Sequence, residues 1–463
     1  MCPDRQDRRP RAGPHRHRTV PAALGIALIT AIVAAGCSSA DETALEAGGV
    51  RIETSNSPPT SPGPVSGLLD GFRGAVTGVA LPQDIIDELK VIDPGLTSLD
   101  GAAAGYDLAT IATLSAELSR SDAPGRMAQE IRAVTTTGEK CTDFDSCIAA
   151  ADRGSDPDYD GLTGAIELRA DGRPNDFGVT EVVFDAADRL NDSRTLAAQA
   201  SEPGDNGTFP DPLFGPRPDG VLRIGVVLPA LGPDGATGRA ALAAIRLVIG
   251  KVNSTGGALG EPVELIVDSE DPTPAAVLAA AKDDIELKHA DVIIGGANAE
   301  ISQALIEPVT SAGVLLLSGT DGARTPAGTN DRGLYIRLAP PDSIRSVITA
   351  DELTVDGYLR ICALAATTPA NNQLLLELTA ELNKRGAAVV SIVSYDPTAT
   401  DYSTEATAVF QAGAEATVIL GDVDDTARMI KALHETARGP RDAPTYGTDL
   451  NVRTALVDAI RQL

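Results

Sequence analysis

From residue 221 onward, short apolar runs alternate with longer stretches whose apolar positions recur every three or four residues. "VLRIGVVLP" is a run of the first kind. "ATGRAALAAIRLVIGKVNSTGG" has helical spacing and stops at a Gly pair. The alternation continues through "VELIVDSED" (strand), "PAAVLAAAKDDIELKH" (helix), "DVIIGGA" (strand), "ISQALIEPVTSAG" (helix) and "VLLLSGT" (strand). "LYIRLAPPD" then reads as a crossover. A second series follows, with strands in "YLRICALAA", "AAVVSIVSYD", "ATVILGD" and "PTYGTD" and helices at 371–385, 402–413, 424–437 and 451–462. Nearly continuous apolar strands between helices imply parallel sheets covered on both faces. Two such series joined by a crossover predict two α/β lobes, 221–340 and 341–463.

The stretch before them has a different rhythm. "GAVTGVALP" reads as a strand, and helical spacing follows near 82–92, 101–120 and 123–135. Two strands, "GAIELRAD" and "GVTEVVFDA", turn at Asp171–Gly172. Residues 192–220 are rich in Pro, Gly and Asp and read as a linker. Residues 156–167, "DPDYDGLTGAIE", carry the full spacing of a calcium loop. A strand pattern rather than a helix follows it, and Pro157 lies inside it, so the stretch is read as a turn.

Composition changes the picture at the front of the chain. Residues 1–36 hold six Arg and then "PAALGIALITAIVAAG", a basic region followed by an apolar stretch too short for a convincing membrane span. "VAAGC" resembles a bacterial lipobox, which implies a lipid on Cys37 and a polar tether over 37–65. Removal of residues 1–36, with six Arg and two Asp, takes the net charge from −27 to −31. Such a chain is a poor partner for nucleic acid. Cys141 and Cys147 bracket "CTDFDSC" and are expected to form a disulfide in an oxidising compartment, and Cys362 to be a buried thiol. No GxSxG, HExxH, P-loop or Cys–His pairing is present, so no enzyme, metal or cofactor is expected. The acids of "DVDD" at 422–425 precede a helix and read as capping residues, and His289 and His434 as surface residues.

"LGPDGATG", "VNSTGGALGEPVELIVDSED", "VIIGGANAEIS", "EPVTSAGVLLLSGTDG" and "QAGAEATVILGDVDDTARMIKAL", in this order, resemble a type I periplasmic binding protein of the branched-chain amino acid receptor kind. The family's terminal segment is expected after residue 463. Its counterpart stands at the front instead, in residues 66–191, where "YDGLTG" is similar to the family's closing turn. The resemblance therefore implies a circularly permuted two-lobed α/β fold, in which 66–191 serves both lobes and 192–220 joins the usual ends. A separate front domain is the rival expectation, and it requires 66–190 to form its own globule.

Carried over residue by residue, the resemblance implies a ligand cleft at Thr237, Asn298, Ala299, Ser318, Thr320, Asp321, Gly322, Asn371, Asp422 and Asp449. Thr237, Ala370 and Asp422 replace residues that are commonly aromatic, and Ala299 replaces a Ser. Asp449 stands where the family's acid takes the ligand's amine. With Asp321 and Asp422 alongside, a small polar amino acid or an amine- or amide-like solute is expected. The implied protein is a monomeric, lipid-anchored, extracytoplasmic receptor that binds by hinge closure and delivers to an ABC permease. An extracytoplasmic sensor with the same cleft is the second expectation.

Overall fold

The computed structural model describes residues 67–77, 81–169, 172–199, 210–232, 235–268, 271, 273–296, 298–319, 322, 329–339 and 343–463. The expected leader, Cys37 and the tether lie outside these residues. In chain order the front segment contains β1 (Arg73–Thr77), α1 (Gln83–Ile92), α2 (Ala102–Ser119), α3 (Pro124–Ala133), β2 (Glu139–Cys141), α4 (Phe144–Asp152), β3 (Pro157–Tyr159), β4 (Glu167–Leu168), β5 (Pro174–Phe184) and β6 (Leu190–Gln199). The first α/β series gives β7 (Arg223–Val227), α5 (Gly235–Ser254), β8 (Glu264–Val267), α6 (Pro274–Glu286), β9 (Val292–Gly295), α7 (Ala299–Ser311), β10 (Leu315–Ser318) and β11 (Tyr335–Arg337). The second gives α8 (Ser343–Val355), β12 (Arg360–Ala366), α9 (Pro369–Lys384), β13 (Ala388–Tyr395), α10 (Ser403–Ala412), β14 (Ala416–Leu420), α11 (Val423–Glu435), β15 (Thr445–Tyr446) and α12 (Ala455–Arg461).

Two main sheets organise the described residues, each covered by helices, and β2 and β3 form a separate parallel pair. The first, in the order β11-β10-β9-β7-β8, is parallel throughout. Its central strands, such as "VIIG" in β9 and "LLLS" in β10, are buried along their whole length, as strands covered on both faces must be. One face packs on α6 and α7. The other packs on α5 and on α1, α2 and α3 of the front segment. The second sheet runs β13-β12-β14-β15-β1-β5-β4, with β6 on β5. It is parallel from β13 to β1 and antiparallel beyond. This is a mixed α/β architecture of mostly parallel sheets flanked by helices.

Residues 67–199 do not form their own globule. Strand β1 lies parallel to β15, with Arg73 opposite Tyr446, and Leu69 and Phe72 share a core with Val452, Leu456 and Ile460. Gly74 meets the 447–452 loop so closely that an added Cβ would stand 2.8 Å from the Gly447 carbonyl oxygen. The ring of His434, expected at the surface, is half-buried, and its Nε2 lies 2.6 Å from the Leu68 carbonyl oxygen. His289 is exposed, as expected.

One boundary differs from expectation. The linker predicted at 192–220 begins as strand β6, which pairs with β5 from Phe184↔Leu190 to Asp176↔Gln199. Asn191, Asp192 and Ser193 are exposed, so this strand lacks the apolar run that marks the buried ones. The disulfide Cys141–Cys147 is formed and ties β2 to α4, and Cys362 is a buried free thiol.

The end of the linker docks at the N-terminal edge of the first sheet. Asp122 accepts hydrogen bonds from the Asp219 and Gly220 amides, and Asp291, at the start of β9, accepts from the Arg223 amide at 2.9 Å. Burial pushes the Asp291 carboxyl up to about 7; the Arg223 amide opposes the shift and the Asp122 charge adds to it. The native Asp291 therefore keeps its proton where the unfolded chain has lost it, so its contribution to stability falls as pH rises from about 4 through 7. Asp291→Asn keeps an acceptor for Arg223 and removes the charge. Chemical denaturation at pH 8 is expected to show the variant about 1–3 kcal/mol more stable, with the gap closing by pH 4. A variant less stable at pH 8 would contradict this assignment.

Candidate functional site

Besides the stretch that joins β6 to β7, three links between the sheets bear on where a site can form. The chain leaves the first sheet at the C-terminal end of β11 and enters α8. It leaves the second sheet at the C-terminal end of β1 and enters α1. The β4–β5 hairpin makes the third link: β5 pairs with β1 in the second sheet, while the Gly172 carbonyl accepts the Arg337 amide of β11 at 2.9 Å. Gly172 has φ +74, and a Cβ there would stand 2.7 Å from the Tyr335 carbonyl oxygen, so the hairpin can sit this close only with Gly. Strand β11 is parallel to β10, β9 and β7, and β1 is parallel to β15, β14 and β12. The C-terminal ends of both parallel sets thus face the crossovers. Loop amides and helix N-termini collect there, which suits polar ligands.

On the first-sheet side, Ser318 ends β10, is buried, and donates to the Gly296 carbonyl at 3.1 Å. Ser302 is also buried, and its Oγ has no hydrogen-bond partner among the described residues. Both hydroxyls converge on Gly296, where an added Cβ would lie 2.4 Å from Ser302 Oγ and 3.0 Å from Ser318 Oγ. Asn298 caps α7 by accepting from the Glu300 and Ile301 amides, and Ala299 is the first residue of that helix. Thr237 is half-buried in the first turn of α5 and packs on Gly101, which precedes α2. Gly322 is half-buried in irregular chain. Thr320 and Asp321 lie outside the described residues.

On the second-sheet side, Asn371 is buried in the first turn of α9, and its amide donates to Thr368 Oγ1 at 3.2 Å. Asp422 occupies the N-cap position of α11 but makes no side-chain cap bond and is exposed. The capping expected of it is therefore confined to its position, and its carboxylate faces water. Beneath it, Tyr395 and Asp425 crowd Gly421, where a Cβ would stand 2.1 Å from Tyr395 Oη and 2.6 Å from Asp425 Oδ1. Burial, and then the Asp422 charge, push the Asp425 carboxyl up to about 6.

Asp449, expected to receive a ligand's amine, receives an internal guanidinium instead. Arg345, in the first turn of α8, donates from Nε to Oδ1 and from Nη2 to Oδ2, the latter at 2.9 Å. Arg453 donates from Nε, at 3.1 Å, and from Nη2 to the Asp449 carbonyl oxygen. Burial alone would raise the Asp449 carboxyl, but Arg345 and then Arg453 hold it below the usual carboxylate range. Neither arginine was foreseen. Arg345 is 104 residues from Asp449 in sequence, and its only local signal is a cation just after the crossover.

In the stretch with calcium-loop spacing, two of the acids have an internal partner. Asp158 and Asp160 both pair with Lys140 Nζ at 2.9 Å, and Glu167 lies in β4. Among the described residues, no cluster of three or more His, Cys, Asp or Glu is placed to hold a metal ion. No helix of the described residues is long and apolar enough to cross a membrane.

A family model described as "Periplasmic binding protein" matches residues 221–456. No curated protein matches the chain. Among solved structures, the chain is similar to an ABC transporter substrate-binding protein from Sphaerobacter thermophilus (22% identity, TM-score 0.45, 52% of this chain and 66% of that one). It is similar to a putative branched-chain amino acid ABC transporter from Rhodospirillum rubrum (19%, 0.43, 52% and 68%). It also resembles a solute binding protein of an ABC transporter from Rhodopseudomonas palustris BisB5, in complex with 3,4-dihydroxy benzoic acid (18%, 0.41, 50% and 61%). The chain thus spans roughly two thirds or less of these relatives' lengths.

Proposed function

The chain belongs to the periplasmic binding proteins, and from that premise we propose that it is the extracytoplasmic solute-binding component of an ABC importer. One observation carries the reading: the C-terminal ends of two parallel strand sets both face the β1–α1 and β11–α8 crossovers. Such a frame can close on a small solute by hinge motion and release it without chemistry. Its cleft is lined by Asn298, Ala299, Ser318, Gly322, Asn371, Asp422 and Asp449, with Thr237 supporting the first-sheet wall. Cys37 carries a lipid that holds the protein at the membrane.

The front segment is proposed to be the family's terminal third, moved by circular permutation. The family match begins at residue 221 and leaves the front out. Yet β1 lies beside β15, and α12 follows β15 directly. The order β15, α12, β1 is an ordinary β-α-β unit cut between its helix and its last strand, with 192–220 bridging the former ends.

Thermal unfolding with small polar solutes tests the function. A solute at 100 times its dissociation constant adds about 2.7 kcal/mol of stability, an upward shift that is easily read. A protein whose transition responds to no amino acid, amine, amide or small organic acid would not be a solute receptor of this kind.

A further inference from the structure

At the edge of the first sheet away from the crossovers lies a pocket of about 450 Å³, within the usual size of a small-molecule site. We propose that it is a second binding site. Its ligand is a small solute whose anionic group meets Arg120 and Arg126 and whose hydroxyl or ammonium group is received at Asp122. This inference goes beyond the solute-binding reading and does not rest on it, because the proposed cleft lies at the opposite strand ends. Three separate parts of the chain wall the pocket. They are the end of α2 with its turn into α3, the stretch before β7 at Pro218 and Gly220, and Leu259 between α5 and β8. These walls are already tied together. The Leu259 amide donates to Glu117 Oε2 at 2.6 Å, and the Asp219 and Gly220 amides each donate to Asp122 Oδ2 at 2.9 Å. Leu259 is held at φ 60, in the left-handed region that a residue of its bulk rarely adopts. A ligand that enters such a frame has little loop entropy to overcome.

The polar groups that remain define the ligand. Arg120 and Arg126 are exposed, and among the described residues no hydrogen bond or ion pair engages either guanidinium. Acids outnumber bases by 65 to 38 in this chain, and arginines such as Arg223 and Arg385 take two carboxylates each. Two arginines without one, on the wall of a single pocket, offer planar forks that match an oxyanion. Asp122 supplies the other half. It is 1% exposed, and its Oδ1 is buried with no hydrogen-bond partner among the described residues. The Asp219 carboxyl beside it is held below the usual carboxylate range by the Val221 amide and then by Arg223, so it gives Asp122 no proton. A donor from the ligand would meet an acceptor that the fold leaves open, and it would come between two like charges. Inorganic phosphate alone satisfies the arginines but not Asp122.

Caproate, ε-hydroxycaproate and ε-aminocaproate share one skeleton and differ only in the donor at the far end, and inorganic phosphate is the fourth probe. Each is titrated calorimetrically into the full-length mature protein, and backbone hydrogen exchange locates what binds. The hydroxy or the amino acid is expected to slow exchange at 117–126, 218–222 and 256–260. Its affinity is expected to exceed those of caproate and phosphate at least about tenfold. Arg120→Gln combined with Arg126→Gln removes two exposed side chains that hold no other group, so the variant should unfold at a temperature close to the parent's. It is expected to weaken the ligand at least about tenfold. Protection confined to 298–302, beside the proposed cleft, would overturn the pocket assignment, as would binding unchanged in the double variant. Caproate or phosphate bound as tightly as the donor-bearing probes would overturn the part given to Asp122. Silence from all four probes would overturn the second site altogether, and each of these results would leave the solute-receptor reading standing.

Discussion

Asp107→Ala is expected to lower the unfolding free energy by about 3–5 kcal/mol, the largest effect of any single substitution considered for this protein. Asp107 is a fully buried acid in α2, and its carboxylate accepts four hydrogen bonds. Tyr159 Oη and the Leu162 amide donate at 2.8 Å to Oδ1, while the Thr163 amide at 2.8 Å and Thr163 Oγ1 at 2.6 Å donate to Oδ2. Gly161 rests against the same carboxylate, where a Cβ would stand 2.2 Å away. Truncation to Ala strips the buried Tyr159 hydroxyl and the part-buried Leu162 and Thr163 donors of their acceptor, a penalty that regained side-chain entropy does not offset. Asp107→Asn keeps one good acceptor and should fall between. Denaturant titration decides it: a change in midpoint corresponding to less than 1 kcal/mol would mean that water replaces the carboxylate without difficulty.

The second large effect is expected at Gly105, where α2 crosses α5. An added Cβ would lie 2.4 Å from the Ala241 carbonyl oxygen and 2.7 Å from its Cα. Both are backbone atoms of a helix that is itself packed on the first sheet, so neither can swing aside. Helix propensity alone would favour Gly105→Leu by about 0.8 kcal/mol. Overpacking against fixed backbone opposes this by about 3 kcal/mol or more, and it should win. The expected outcome is therefore a net loss of at least about 2 kcal/mol, read as a lower melting temperature and loosened protection of the α2 amides. A variant more stable than the parent would show that the two helices are free to part.

These two sites show which parts of the structure could be read in the sequence. The helices predicted near 82–92, 101–120 and 123–135 correspond to α1, α2 and α3, because helical spacing and Gly or Pro boundaries are local signals. The buried strands β7, β9, β10, β12 and β14 announced themselves as unbroken apolar runs. Strand β6 did not, because its early residues are exposed and polar and its order comes from pairing with β5. Asp107 left only a faint trace, a single acid in a helix otherwise small and apolar, and its four donors arrive from residues 52 to 56 positions away. The calcium-like spacing of residues 156–167 proved to be the other half of that contact. Its acids meet Lys140, while its turn amides grip Asp107.

The candidate site was legible in position more than in chemistry. Ser318, Asn371, Asp422 and Asp449 do stand at or just beyond strand ends that face the crossovers. Residue type suggested a cleft rich in free carboxylates. The structure instead pairs Asp449 with Arg345 and leaves Asp422 in water, because the pairing depends on the crossover that delivers α8 to the end of β15. No local pattern encodes a contact 104 residues long.

The central claim is that residues 67–199 complete the binding-protein fold rather than accompany it. Thermal unfolding of a reordered chain, residues 221–463 followed through a short flexible link by 67–199, tests it most directly. One cooperative transition is expected within a few degrees of the natural-order chain, with the same upward shift on adding any solute that the natural chain binds. A reordered chain that unfolds without a cooperative transition, or in two independent steps, would contradict it.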